Sequence, residues 1–117
     1  MIDLQFFGVE DQLVQLAEKV SKSPENLFFR YSYAQGLLKA NRLIESIEQF
    51  KICTKGRSDW MMAFFSLAEA QIGAGLQMEA IESLVVTIDL ARKQGHDDPL
   101  EEASKLLSSL KGSSSNT

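Results

Sequence analysis

Apolar residues recur along this chain at steps of three and four, in blocks parted by turn-forming residues. Leu13, Leu16, Ala17 and Val20 make one stripe and predict a first helix over about 10–22. Pro24 interrupts it, and Ser23 or Asn26 is placed to cap a second helix over about 26–40. That helix has two apolar faces, one of Tyr33, Ala34, Leu37 and Ala40, the other of Phe28, Tyr31 and Leu38. After a turn at Asn41 and Arg42, a third helix over about 43–54 should point Ile44, Ile47 and Phe50 inward. Gly56, between Lys55 and Arg57, suits a left-handed helix end. Ser58 or Asp59 should cap a fourth helix over about 60–74, with Gly75 as its turn. A fifth, about 78–94, carries Ala80, Ile81, Leu84, Val85, Ile88 and Ala91 and stops at Gly95. Asp98 as N-cap, Pro99 at the first helical position and Glu101 closing a capping box then predict a last helix over about 100–110. Residues 1–9 read as an apolar lead-in containing Ile2, Leu4, Phe6 and Phe7, and residues 112–117 as a disordered polar tail.

The fourth and fifth helices return, weakened, 34 residues earlier. Leu67-Ala68 matches Tyr33-Ala34, Gly75 matches Asn41, Ala80-Ile81-Glu82 matches Ser46-Ile47-Glu48, and Leu84 matches Phe50. Gln12 and Leu16 stand in the same phase as Ser46 and Phe50, so the first helix reads as the second half of a truncated repeat. The last helix reads as a cap over the apolar end of the stack. Against the motif W-x2-L-G-x2-Y, A-x3-F, P, the second copy places Phe64, Leu67, Ala68, Gln71, Ala80, Leu84 and Arg92. The first places Arg30, Tyr33, Ala34, Leu37, Ser46, Phe50 and Ser58. The aromatic, the Leu, the small positions and a bulky fifth position survive in the second copy, and the Tyr and Pro do not. On these residues, over about 10–91, the chain resembles the tetratricopeptide repeat family. It is similar to small stand-alone members with two central repeats and a closing A-R-x-Q-G-x-x-D segment, here Ala91, Arg92, Gln94, Gly95 and Asp98. The resemblance implies an all-α, right-handed superhelical solenoid of antiparallel helix pairs. The expected domain covers 10–111, with repeats over about 26–58 and 59–92 and a capping helix over about 99–110.

Composition narrows the function classes. Hydrophobic residues are 44% of the chain, enough to form a core rather than a disordered coil. Net charge is −4 with no basic block, which argues against nucleic acid, whose phosphates need a cationic footprint. No apolar run approaches the roughly 20 residues that span a bilayer, and the N-terminal MIDLQFFG lacks the charge and cleavage pattern of a signal peptide. A single cysteine, Cys53, cannot form an internal disulfide. A cytoplasmic protein without cofactor or metal is expected.

Candidate chemistry is sparse. Cys53 falls on an inward helical position and reads as a small buried hydrophobe. His96 lies between a helix stop and a helix start, and Asp97 and Asp98 beside it are explained by capping, so a zinc site lacks ligands. No nucleophile and base can be paired, so no enzyme is expected. In the family, the first helix of each repeat lines the concave side. That implies a groove pairing Phe28 with Met62, Tyr31 with Phe65, Gln35 with Glu69, and Leu38 with Ile72. Aromatic and Met side chains of this kind suit an apolar peptide or a partner's amphipathic helix. Two other readings stand beside it: the lead-in or a terminal helix fills the groove, or a homodimer buries it. Trp60, Met61 and Phe64 read as inter-repeat core. Tyr31, Gln35 and Ser66 fall where some family members clamp a chaperone's C-terminal carboxylate, and none supplies a cation, so that ligand is not expected.

Overall fold

The computed structural model describes residues 8–115, and the apolar lead-in up to Phe7 lies outside them. Six helices follow one another: α1 Val9–Lys22, α2 Leu27–Lys39, α3 Leu43–Gly56, α4 Met61–Gly73, α5 Gln77–Gln94 and α6 Asp97–Ser115. No strand occurs among the described residues. Each helix packs on its neighbours in sequence, and α2 also meets α4, giving an elongated body of 52 × 30 × 22 Å.

The repeat is visible in the element bounds. α4 begins and ends 34 residues after α2 (27 to 61, 39 to 73), and α3 does the same after α1 (9 to 43, 22 to 56). The turns repeat as well. Asn41 and Gly75 both adopt the left-handed conformation, at φ 59° and 77°. In each, the next residue's N–H reaches back five positions, from Arg42 to the Leu37 carbonyl and from Leu76 to the Gln71 carbonyl, both at 2.9 Å. Gly95, at φ 74°, ends α5 in the same way, with His96 N–H on the Ala91 carbonyl at 2.9 Å. This arrangement satisfies helix-end carbonyls that would otherwise lack donors.

Small residues let the paired helices approach. Ala34, Ala68 and Ala80 have no exposed surface. Ser46 takes the place of Ala80 in the first copy, and its hydroxyl donates to the Ala34 carbonyl at 2.9 Å, so the extra oxygen is paired inside the crossing. Two apolar clusters follow. One joins Ala34, Ile47, Phe50, Leu67 and Ala70; the other joins Phe65, Ala68, Leu84, Ile88 and Ala103 under Leu100, Leu106, Leu107 and Leu110 of α6. Glu101, Glu102, Lys105, Ser108 and Ser109 stay exposed on α6, so the helix offers an apolar underside and a polar outer surface. Arg30, at the position of the family's tryptophan, reaches from α2 to Gln49 of α3 and to the Pro24 carbonyl, each at 3.0 Å.

Several local expectations are corrected. Ile44 is 60% exposed, because the inward stripe of α3 runs through Ser46, Ile47, Phe50 and Cys53 and Ile44 lies off it. On α5, where no direction was assigned, Val85 is exposed and Ser83 and Thr87 are buried. Their hydroxyls donate to Gln71 Oε1 at 2.6 Å and to the Ser83 carbonyl at 2.8 Å, which removes the cost of burying them. Gly56 is not left-handed: it is the last residue of α3, and a Cβ there would stand 2.6 Å from Leu27 Cδ1. Its service is close approach of α3 to the start of α2. Asn26 does cap α2, accepting from Phe29 N–H at 3.1 Å. Neither Ser58 nor Asp59 caps α4, whose N-cap Trp60 makes no side-chain bond. The helix α6 starts at Asp97, and the His96 carbonyl accepts Leu100 N–H at 3.2 Å. Asp98 and Pro99 therefore sit inside its first turn, where a missing N–H costs nothing. The same helix continues to Ser115, so the residues from 111 to 115 are helical, not coil; residues 116–117 lie outside the described residues.

Candidate partner-binding face

The first helices of the two repeats, α2 and α4, lie side by side and run the same way, joined at their starts by stacked rings and in their middles by a hydrogen bond. Trp60, at the N-cap of α4, stacks on Tyr31 with ring centroids 4.8 Å apart and on Phe28 at 5.3 Å. Tyr31 in turn meets the buried Phe50 edge-on at 5.8 Å, which anchors the cluster to the core. The Arg57 guanidinium lies over both outer rings, 5.7 Å from Phe28 and 5.4 Å from Trp60. Phe28 is nevertheless 60% exposed, and Met62, one turn into α4, is 42% exposed. A hollow of about 370 Å³ opens beside them, bordered by Arg57, Trp60, Met62 and, from the end of α5, Gln94 and His96.

Further along the face Gln35 is held on both sides, donating to Tyr31 Oη at 2.9 Å and to Ser66 Oγ at 2.7 Å. Gln35 thus ties Tyr31 of its own helix to Ser66 of α4. Leu38 and Ile72 are half-buried at the far end. Glu69 is exposed, yet its carboxyl is held above the ordinary glutamate range, first by partial desolvation and then by the charge of Glu102 on α6. Contacts thereby link Phe28, Tyr31 and Gln35 with Trp60 and Ser66 across the α2 and α4 pair, and Met62 borders the same hollow as Trp60, whereas among the described residues no ring contact or hydrogen bond ties Leu38, Glu69 or Ile72 to them.

Phe65 does not belong with them. It is 4% exposed and lies under α6, in the cluster with Leu84 and Ile88. The repeat offset equates it with half-exposed Tyr31, but the position beside it is covered by the leucines of the last helix, so it supports the face from below. Two members of the face escaped the sequence reading. Trp60 was expected in the core and Arg57 as a helix-end cation; both precede α4, where no helical period assigns a direction.

Other candidates stay apart. Cys53 is fully buried, and loss of solvent pushes its thiol up to about 11, so it stays protonated and bonds to the Leu27 carbonyl at 3.6 Å. His96 is exposed at the junction of α5 and α6. Among the described residues no three His, Cys, Asp or Glu side chains gather to hold a metal ion, and no helix is long and apolar enough to cross a membrane. A second hollow, of about 430 Å³, lies between α5 and α6 and is edged by Val85, Asp89, Arg92 and Ser108.

No family model and no curated protein matches the sequence. Solved structures do. A tetratricopeptide repeat domain protein from Salinibacter ruber superposes in its solution structure with a TM-score of 0.69 at 23% identity, over 77% of this chain and 91% of that one. Its crystal structure gives 0.68 at 22%, over 74% and 97%. A protein from Bordetella parapertussis gives 0.74 at 13% identity, over 86% and 88%. At these identities the likeness concerns architecture, and the chain has a tetratricopeptide-like helical repeat fold.

Proposed function

We propose that this chain is a protein-interaction module, of the adaptor, small chaperone or assembly-factor kind, which takes an apolar peptide or helix against the face of α2 and α4. The observation that carries this reading is the exposure of Phe28 and Met62 on a wall of rigid helices, beside rings that are already stacked. Helices that place large apolar side chains in water gain by covering them. Phe28, Tyr31, Trp60 and Met62 supply contact area, Leu38 and Ile72 extend it, and Gln35 and Glu69 set register. Phe65 holds the wall up. The buried Cys53 and the exposed His96 lie apart and take no part in this reading.

The test is a pull-down from native extract with the wild type, Phe28→Asp and Ile44→Asp, read by mass spectrometry alongside sedimentation of each protein. Both substituted positions are 60% exposed, so neither change should unfold the chain. A partner held by the wild type and Ile44→Asp but lost with Phe28→Asp supports the reading. Loss with Ile44→Asp alone moves the site to α3. A dimer that Phe28→Asp dissociates would instead assign the face to self-association.

A further inference from the structure

The face is electrically uneven along its length. At the end where α2 and α4 begin, both helix dipoles are positive and Arg57 adds a full charge, fixed over the Phe28 and Trp60 rings. Its nearest carboxylate, Asp59, stands off at 3.9 Å and is itself 73% exposed, a weak pairing that leaves guanidinium donors open. Toward the other end stands Glu69, one turn before the close of α4 at Gly73. A carboxylate there opposes the negative end of its own helix. It also feels Glu102 across from α6, and it is partly desolvated. Neither Glu69 nor Glu102 takes part in the ion pairs found among the described residues, which use Glu10, Glu45, Asp59, Asp89 and Glu101. Two exposed carboxylates, one of them near the end of its helix, thus stand outside every ion pair found among the described residues. Such local conflicts mark positions kept for a ligand.

We propose that the segment received by this face is an apolar stretch bearing a carboxylate at the end that meets Arg57 and an ammonium or guanidinium group at the end that meets Glu69 and Glu102. This rests on the α2 and α4 face being the binding site. The spacing follows from the helix. Met61, at the Arg57 end, and Glu69 are separated by about 12 Å of helix axis. The partner's two charges are then about four residues apart if it binds extended, or about eight if it binds as a helix.

The probe is a random twelve-residue peptide library displayed on phage and selected against the full chain. Enriched peptides are then titrated by fluorescence anisotropy against the wild type, Phe28→Asp, Arg57→Glu and Glu69→Lys, each checked by circular dichroism. Enriched peptides should carry an acid and a base at the stated spacing around apolar residues. Glu69→Lys and Arg57→Glu should each weaken binding by about tenfold, and reversing only the peptide charge that meets the substituted residue should restore it. Peptides lost on Phe28→Asp but bound equally by both charge variants would leave the face standing and overturn its charge rule. Peptides indifferent to Phe28→Asp, or no enrichment at all, would overturn both.

Discussion

Phe65 offers the sharpest test of the architecture. Its ring is 4% exposed and belongs to the cluster that joins α4, α5 and α6, with Ala68, Leu84, Ile88 and Ala103, against which the leucines of the last helix pack. Phe65→Ala removes those contacts and leaves a cavity, which in buried sites costs about 3–5 kcal/mol. At about 2.1 cal/mol/K of unfolding entropy per residue, each kcal/mol lowers the melting temperature of this chain by about 4 °C, so the loss is roughly 12–20 °C. Phe28→Ala is the control. At 60% exposure it forfeits little burial, one ring pair and one cation contact, together about 1 kcal/mol. Urea and thermal unfolding followed at 222 nm give both values. Comparable losses at the two positions would refute the placement of Phe65 beneath α6 and of Phe28 in solvent.

Three other outcomes follow from the geometry. Asn41 and Gly75 share one left-handed turn position, so Asn41→Gly should stabilise by about 0.5 kcal/mol and Gly75→Ala should destabilise by about 1–2 kcal/mol, and thermal melts giving the same sign for both would sink the equivalence. Cys53, buried and shifted to about 11, should resist alkylation by iodoacetamide at pH 8 in the native protein and react readily in urea; equal rates by mass spectrometry would place the thiol at the surface. Glu69 holds its proton more tightly folded than unfolded, so its ionisation weakens the fold as pH rises from the ordinary glutamate range through its own raised one. Glu69→Gln should therefore raise the melting temperature at pH 7 and leave it unchanged at pH 4, and a gain at pH 4 as large as at pH 7 would contradict the assignment.

The repeat frame was legible because it rests on few residues of strong meaning. Ala34, Ala68 and Ala80 mark helix crossings, Asn41 and Gly75 mark turns, and a fixed offset relates them. Errors arose where polarity or position misleads. Ser83 and Thr87 fall outside the apolar spacing of α5, yet hydroxyls with an acceptor in reach can be buried. Ile44 was expected inward, yet a helix buries a stripe, and Ile44 lies one step beyond it. Gly56 looked like a helix terminator when its lack of a side chain admits Leu27. Helical spacing grouped Phe28, Tyr31 and Met62, and the structure joins Phe28 and Tyr31 through Trp60 with Met62 beside the same ring. Phe65 was misplaced because the offset carries no record of what α6 covers.

The ties that hold this stack together are short along the chain. Ser46 meets Ala34, and Ser83 meets Gln71, each 12 residues back; the longer ties, from Ser66 to Gln35, from Leu110 to Gln77 and from Gln94 to Asp59, span 31, 33 and 35. A ribosome adding about 5–20 residues per second takes seconds to extrude such a span. A helical hairpin closes in micro- to milliseconds. Each pair can therefore finish before the next emerges, and the order of synthesis becomes the order of folding. Until α6 emerges, Phe65, Leu84 and Ile88 stand bare on the newest surface. That interval, when the nascent chain most needs shielding from its neighbours, is set by the time taken to translate the last helix.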